Sequence, residues 1–382
     1  MERNPTTARG PGIRSQARPN HAGDAVGQES KDVDSVLKER HNDEDVVQWV
    51  RKAISRDLGG CLPMLVEEIL DLALPQVWKP LPPMLEKRVG LGGTSVDGKL
   101  CAIGGVHGLA HMTGEFLDLK NMGAGWKRLP KSVYRGHLGL THADGKLYAI
   151  GGRREVNHYD YMNNDFEKIA EFLDLRSLDA GWKDLPPMRT GRAFFGLVHV
   201  DGKLYAIGGL AGFERPLRSG EFLNLKNIGE GWKELPPLTN ARYRFGVIHA
   251  DGKLFAIGGD HQQHLRDHSC GECLDLKNMA AGWKQMPLMC DLPRRRNSSW
   301  IGCAESVVYD NGKLIAVLGC FRSMKQLDLN NVRAGWHELT PKLDHLRRNF
   351  AMVCENGKLF VFGGDLLPGG ACRTGQHLRI SM

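Results

Sequence analysis

The sequence has no long apolar run. No window of this 382-residue chain reaches the roughly 18 apolar residues that a membrane-spanning helix needs. Residues 1–30 contain four Arg but almost no large apolar side chain, so they lack the apolar segment of a secretory signal. Nine cysteines, an odd number, fit reduced thiols better than a disulfide framework. We therefore expect a cytoplasmic or nuclear protein that does not contact a membrane.

Recognisable catalytic motifs are also missing. The sequence has no Gly-X-Ser-X-Gly nucleophile elbow, no phosphate-binding glycine loop and no His-Glu-X-X-His motif. We predict no cofactor, and the sequence favours a protein without enzymatic activity. The formal net charge of +7 is small, and a solvated lysine-rich surface accounts for it better than nucleic-acid binding does.

What the chain has instead is an internal repeat. Each copy has an Asp-Gly-Lys or Asn-Gly-Lys turn, then in most copies a Gly-Gly pair, then a Leu-Asp/Asn-Leu segment and a tryptophan. The turns start at Asp97, Asp144, Asp201, Asp251, Asn311 and Asn356. The tryptophans are Trp78, Trp126, Trp182, Trp232, Trp283 and Trp336. A period of about fifty residues is typical of solenoids and propellers.

Each copy has the pattern of four short antiparallel strands. In the copy at 194–235, an apolar run leads into the Asp201-Gly202 turn, which supplies the positive φ angles of a tight hairpin. The return strand ends at the Gly-Gly pair, a third strand follows a variable loop, and Trp232 opens the fourth. Such a sheet cannot bury both faces alone, so the copies must stack around an axis as a β-propeller.

The copies resemble the kelch repeat. The shared features are an Arg before the first strand, a hairpin, Gly-Gly ending the second strand and Trp opening the fourth. The likeness covers residues 78–382 and implies an all-β, six-bladed kelch-type β-propeller, to which we assign residues 76–382. The last copy ends before its fourth strand, whereas Trp78 begins a fourth strand with no copy of its own. We expect the strand around Trp78 to complete the sixth blade with the C-terminal strands.

The first 75 residues differ from the repeats. Residues 1–30 have the composition of a disordered tail. Residues 31–75 carry apolar residues at helical spacing and predict a helical segment of two short helices. The run from Cys61 faintly resembles the opening of an F-box, and the pair resembles the helical segment before kelch propellers in adaptor proteins. This resemblance implies that 31–75 could recruit a ubiquitin-ligase scaffold; packing on the propeller is the alternative.

A basic residue recurs before the first strand of every copy. It is Arg88, Arg135, Arg192, Arg242 and Arg347 in five copies, and the fifth copy carries Arg296 in a longer loop. Strand direction places these arginines among the loops that join the second strand to the third and the fourth strand to the next copy. We call the surface formed by these two sets of loops the upper face, and the opposite surface the lower face.

The upper face is the predicted binding surface, because its loops differ most between copies. Guanidinium groups suit carboxylates, so we expect the arginines to bind an acidic segment of a partner. Pairing of the same arginines with backbone carbonyls or a neighbouring blade is the alternative. The expected apolar anchors are Tyr134, Phe194, Tyr243 and Trp300.

One loop has the residue types of a zinc site. His261, His264, His268, Cys270 and Cys273 fall close together. The repeat alignment places Cys273 on the third strand, where residues three apart point to opposite faces. We therefore predict no metal site.

Together these features predict a protein interaction scaffold or a substrate-recognition adaptor. The alternative that the resemblance leaves open is a sugar epimerase or mutarotase of the sialic-acid epimerase type. Such an enzyme needs a deep pocket where a carboxylate meets a His or Tyr. The candidate acids are Glu155, Asp160, Asp165, Glu214, Asp260 and Asp267.

Overall fold

Ten stretches of the chain are described by the computed structural model. They are residues 77–107, 109–110, 112–132, 135–154, 166–212, 215–260, 271–287, 304–318, 322–367 and 369–380. The tail predicted at 1–30 and the helical segment predicted at 31–75 lie outside the described residues. Residues Gln76–Met382 form one compact unit.

Most regular structure in these stretches is in four-stranded antiparallel sheets, one for each repeat copy. Sheet 1 contains Gly92–Val96, Lys99–Ile103, Gly114–Asp118 and Lys127–Leu129. Sheet 2 contains Gly139–Ala143, Lys146–Ile150, Ala170–Asp174 and Trp182–Leu185. Sheet 3 contains Gly196–Val200, Lys203–Ile207, Gly220–Asn224 and Trp232–Leu235.

The remaining sheets follow the same order. Sheet 4 contains Gly246–Ala250, Lys253–Ile257, Gly271–Asp275 and Lys284–Gln285. Sheet 5 contains Ala304–Asp310, Lys313–Leu318, Ser323–Asp328 and His337–Leu339. Sheet 6 contains Ala351–Glu355, Lys358–Phe362, Gly375–Arg379 and, as its fourth strand, Lys79–Leu81. In that last pairing Lys79 lies opposite His377 and Leu81 opposite Gly375.

Shorter elements fill the connections. Pairs of short strands in the upper loops are Val106–His107 with Leu109–Ala110, and Leu210–Ala211 with Arg215–Pro216. A three-stranded sheet combines Leu346–Arg348, Asp365–Leu367 and Gly370–Ala371. The connections from third to fourth strand contain the 3-10 turns Met122–Ala124, Leu178–Ala180, Ile228–Glu230, Met279–Ala281 and Leu329–Ala334.

The first strands of the sheets contact one another in a cycle. Each contacts the first strand of the next sheet along the chain, and that of sheet 6 contacts that of sheet 1. The contact is close: a Cβ added at Gly196 would lie 1.9 Å from Val247 Cγ2. Each hydrophobic core cluster lies between two neighbouring sheets, so both faces of every sheet are buried. The predicted all-β, propeller-type fold is confirmed.

The repeated motif residues explain this stacking. Asp201 and Gly202 have φ of 48° and 76°, the left-handed geometry predicted for the hairpin turns. A Cβ at Gly208, the first glycine of its pair, would lie 2.8 Å from the Arg242 carbonyl oxygen, so a side chain there would separate sheets 3 and 4. The Trp232 indole N–H donates to the Pro186 carbonyl at 2.8 Å, which ties the fourth strand of sheet 3 to the end of sheet 2. Trp126, Trp182 and Trp283 make the same bond to Pro82, Pro130 and Pro236.

Candidate functional site

The repeated arginines do not form an exposed ring. Arg88, Arg135, Arg192, Arg242 and Arg347 are all buried, each with at most 2% of its surface exposed. In sheet 3, Arg192 Nη2 donates to Glu221 Oε1 at 2.8 Å, and its Nη1 donates to the carbonyls of Gly208 and Ser219 at 2.8 and 3.0 Å. The side chain therefore ties the ends of the second and third strands together inside its own sheet.

The paired glutamates extend this internal network. Glu221 Oε2 also accepts from the backbone N–H of Arg189 at 2.8 Å, and Glu272 Oε2 accepts from that of Thr239 at 2.6 Å. Each glutamate thus holds the loop that enters its sheet. Arg88, Arg135 and Arg242 pair in the same way with Glu115, Glu171 and Glu272. Arg347 lacks a glutamate at the equivalent position and donates to the Gly363 and Thr374 carbonyls at 2.6 and 2.9 Å.

The structure engages these five arginines in ion pairs and carbonyl hydrogen bonds inside the sheets, so their contact with a partner stays a prediction that this arrangement does not support. Their predicted alternative role, pairing with carbonyls, is what the structure shows. The sequence holds a signal for the missed partner: Glu115, Glu171, Glu221 and Glu272 each stand second in the third strand. Arg296, Tyr134 and Trp300 lie outside the described residues.

Phe194 and Tyr243, two of the predicted anchors, do come together on the upper side of the axis. Their ring centroids are 6.5 Å apart with an edge-on geometry. His137 stacks on the other side of Phe194, with centroids 3.8 Å apart, and the Arg244 guanidinium lies 4.8 Å from the Phe194 centroid. We call His137, Phe194, Tyr243 and Arg244 the axial cluster. It combines a cation with aromatic surface that is half-buried rather than fully enclosed.

Backbone hydrogen bonds among five of the six copies form a partial ring that positions the axial cluster. The N–H groups of His137, Phe194 and Arg244 donate to the carbonyls of Gly90, His137 and Phe194 at 2.7, 3.0 and 2.9 Å. Gly90 in turn donates to Asn349 at 2.8 Å. All five residues have φ between 51° and 64°, a left-handed geometry that is uncommon for residues other than glycine. Each stands two residues after a repeated arginine, so the buried arginines hold the loops that form this ring.

His137 is neutral in this setting. Burial, together with the positive charges of Arg244 and Arg153, lowers the pKa of His137 to about 3. Its ring also covers Gly90, where an added Cβ would lie 2.2 Å from the imidazole. The cluster therefore offers an uncharged imidazole and a charged guanidinium to the upper face.

The depressed pKa predicts an acid-sensitive stability. The unfolded chain binds a proton at His137 below about pH 6.5, whereas the folded chain does not until about pH 3. Proton binding at His137 therefore favours the unfolded chain once the pH is below about 6.5. The free energy of unfolding is unaffected by this group above that pH and decreases as the pH falls below it. Between pH 7.5 and pH 5, wild type should lose on the order of 1–2 kcal/mol more unfolding free energy than His137→Asn. Urea unfolding of both proteins at the two pH values measures this, and equal losses would show that His137 is not the group responsible.

A small cavity lies under the axial cluster. It has a volume of about 110 Å³ and is lined by residues that include His137, Phe194, Arg244 and Asn349. Ligand pockets usually span about 300–1,000 Å³, so the part of the cavity that the described residues enclose is smaller than most ligand pockets. None of its described lining residues is a carboxylate.

Asp260, one of the acids considered for an enzyme, lies beside the cluster and pairs with Arg244 at 3.7 Å. The other candidate acids, Glu155, Asp160, Asp165, Glu214 and Asp267, fall outside the described residues.

The described part of the chain offers neither a metal site nor a membrane-spanning helix. No group of three or more His, Cys, Asp or Glu there could hold a metal ion. Four members of the predicted His/Cys group, at 261, 264, 268 and 270, are not among the described residues. No helix in the described stretches is long and apolar enough to cross a membrane.

Comparisons with known proteins agree with this architecture. The search of curated proteins finds no match to the sequence. The chain is similar to the solved structure of YjhT, with 14% sequence identity and a TM-score of 0.60, over 77% of this chain and 95% of that chain. At this identity the likeness shows the fold. The Kelch motif family matches residues 191–239, which hold the loop and four strands of sheet 3. Residues 191–239 therefore match a Kelch motif, and the other sheets repeat the motif residues of sheet 3 in a kelch-type propeller fold.

Proposed function

We propose that this protein is a protein-binding module that holds an acidic segment of a partner on its upper face. The observation that carries the proposal is the charge of the upper loops. With the five buried arginines set aside, the described upper loops contain more basic than acidic residues. The basic residues are Lys87, Lys131, Arg153, Arg154, Lys168, Arg189, Arg215, Arg218, Arg244, Arg322, Lys342, Arg348 and Arg373, of which Arg153 is also buried. The acidic residues are Glu86, Glu167, Asp260, Asp344 and Asp365.

The lower face is balanced by comparison. Its turns and connections place acidic and basic residues close together, as in Asp201 with Lys203 and Asp275 with Lys277. Asp174 and Arg176 form an ion pair at 2.9 Å. A field of one sign on one face steers an oppositely charged partner to that face and increases the association rate.

The axial cluster supplies the apolar part of the proposed contact. Phe194 and Tyr243 present half-buried rings beside Arg244, and Tyr and Arg are enriched among residues that dominate binding energy. The small axial cavity suits a single side chain of a partner. These features support protein binding; for a sugar epimerase or mutarotase, the described part of the cavity offers neither a large volume nor a lining carboxylate.

The ligase link and the cellular location depend on residues and properties other than the charge of the upper loops. A link to a ubiquitin ligase through 31–75 remains a prediction, as does a cytoplasmic or nuclear location. Both would follow from the identity of the partner.

The test is a peptide selection against two matched variants. Arg189→Ala/Arg215→Ala/Arg218→Ala removes three exposed charges from the upper loops around sheet 3. Lys120→Ala/Lys226→Ala/Lys277→Ala removes three exposed charges from the lower face. Random displayed peptides selected on wild type and on the lysine variant should be enriched in Asp, Glu and aromatic residues, and the arginine variant should lose the acidic enrichment.

Salt gives a second measurement on the same proteins. Binding of a selected peptide should weaken between 50 and 200 mM salt, and the arginine variant should show a smaller salt dependence. Selection of peptides without acidic residues, or equal loss in both variants, would refute an electrostatic upper-face site.

A further inference from the structure

The third strand of sheet 4 lacks an aromatic ring that the third strands of sheets 2 and 3 have. In sheets 2 and 3 an aromatic residue on the second strand faces a phenylalanine on the third. Tyr148 and Phe172 have centroids 6.1 Å apart, and Tyr205 and Phe222 have centroids 5.8 Å apart. The equivalent pair in sheet 4 is Phe255 opposite Cys273. A thiol therefore occupies the place of a phenyl ring.

A cavity lies where that ring is missing. It has a volume of about 180 Å³, and its walls include Phe255, Cys273, Met286, Leu329 and Val332. Leu329 and Val332 belong to the 3-10 turn of sheet 5, so the cavity lies between two neighbouring sheets. An apolar cavity of about 150 Å³ is large enough to take up benzene, so this one can hold a single aromatic ring.

A lysine, Lys253, lines the same cavity. In sheets 2 and 3 the lysine that opens the second strand lies over the phenylalanine ring: Lys146 Nζ is 5.2 Å from the Phe172 centroid and Lys203 Nζ is 5.6 Å from that of Phe222. The equivalent residue in sheet 4 is Lys253, which lines the cavity. Sheet 4 thus keeps the facing aromatic ring, Phe255, and the cation, Lys253. The ring that would lie between them is absent, because Cys273 occupies its place.

We propose that this cavity binds the aromatic side chain of a phenylalanine or tyrosine from a partner protein, which takes the place that Phe172 holds in sheet 2 and Phe222 in sheet 3. Phe255 faces the incoming ring, Lys253 covers it through a cation–π contact, and the Cys273 sulfur contacts it. Three lining residues, Asp251, Lys253 and Gln285, are exposed, so the site reaches solvent beside the Asp251 turn of the lower face. It is separate from the acidic-segment site proposed for the upper face.

The variants that test the site exchange the residues of two repeats. Cys273→Phe gives sheet 4 the phenyl ring that sheets 2 and 3 have, and this ring should fill the cavity. Phe222→Cys removes the ring of sheet 3 and should create a second site. Lys253→Gln keeps the cavity and removes the cation. Circular dichroism and urea unfolding show whether each variant is folded before binding is measured.

The probes are p-cresol, which is the tyrosine side chain, and the peptides acetyl-Gly-Tyr-Gly-amide and acetyl-Gly-Leu-Gly-amide. Binding is followed on the full chain by the NMR shift of the Met286 methyl group. Wild type should bind p-cresol and the tyrosine peptide but not the leucine peptide. Cys273→Phe should lower both affinities at least about tenfold. Lys253→Gln should weaken them about two- to fivefold, the size of an exposed cation–π contact.

Three results would overturn the proposal. Failure of wild type to bind p-cresol would mean that the cavity is not available to a ring. Binding that persists in folded Cys273→Phe would place the site elsewhere. Binding of p-cresol without binding of the tyrosine peptide would assign the cavity to a free aromatic molecule instead of a partner's side chain.

Discussion

The 382-residue chain carrying Trp78→Ala and Leu81→Ala is expected to lose about 5–10 kcal/mol of unfolding free energy, the combined cost of truncating a buried Trp and a buried Leu. Trp78 and Leu81 are 9% and 6% exposed; Leu81 ends the strand that completes sheet 6, and Trp78 directly precedes that strand. Trp78 packs in the core cluster between sheets 5 and 6, whereas Leu81 packs in the cluster between sheets 6 and 1. Because the two side chains lie in different clusters, their losses should add. Urea unfolding followed by far-ultraviolet circular dichroism measures the change.

A matched control lies in the same segment. Val77 and Leu85 are 51% and 41% exposed, so Val77→Ala/Leu85→Ala removes apolar side chains of similar kind without opening a core cluster. This variant should stay within about 0.5 kcal/mol per substitution of wild type. If the two double variants unfold alike, the strand at Lys79–Leu81 does not stabilise sheet 6 in solution.

The repeat pattern made most of the architecture predictable. Asp201-Gly202 can be read as a hairpin because only a few residue types accept two consecutive positive φ angles, and Gly208 as a close contact because any Cβ there meets a neighbouring backbone. Both the turn geometry and the close contact are local constraints. Because they recur about every fifty residues, they show that each sheet is built from one repeat of that length. The repeated tryptophans predict where the fourth strands start. Their hydrogen bonds to proline carbonyls of the preceding sheet depend on the distance between sheets, which a local sequence pattern does not contain.

The sequence alone does not show whether the repeated arginines face solvent or the interior. A basic residue that recurs in every copy looks the same in sequence whether it faces solvent or the interior. What distinguishes the two cases here is the recurring glutamate, such as Glu221 for Arg192, on a strand that only the fold brings within 2.8 Å. A repeated Arg with a repeated Glu at a constant offset indicates an ion pair inside the repeat.

The axial cluster was only half predictable. Phe194 and Tyr243 could be named because large aromatic residues in loops suggest anchors. His137 and Arg244 could not, because their role depends on the backbone ring that turns each of them toward the axis. The equivalent position is Gly90 in one copy and Asn349 in another, so no shared residue type marks it.

The buried pairs lead to the second large effect. Arg242 and Glu272 are both fully buried and form an ion pair at 2.6 Å. Arg242→Met should lower the unfolding free energy by about 3–5 kcal/mol, because Glu272 is then left as an uncompensated buried charge. Arg242→Met/Glu272→Gln should recover part of this loss, since the Gln oxygen can still accept from the Thr239 N–H that Glu272 binds at 2.6 Å. Urea unfolding of the three proteins measures both steps.

The same variant separates the two roles considered for the arginines. Arg176→Met, which removes an arginine from an exposed ion pair on the lower face, is the control and should leave stability unchanged. If the repeated arginines are structural, folded Arg242→Met will be less stable yet will select the same acidic peptides as wild type. If Arg242→Met instead keeps wild-type stability and loses acidic peptides, then Arg242 leaves its pair to meet the partner, and the structural assignment of the buried arginines is wrong.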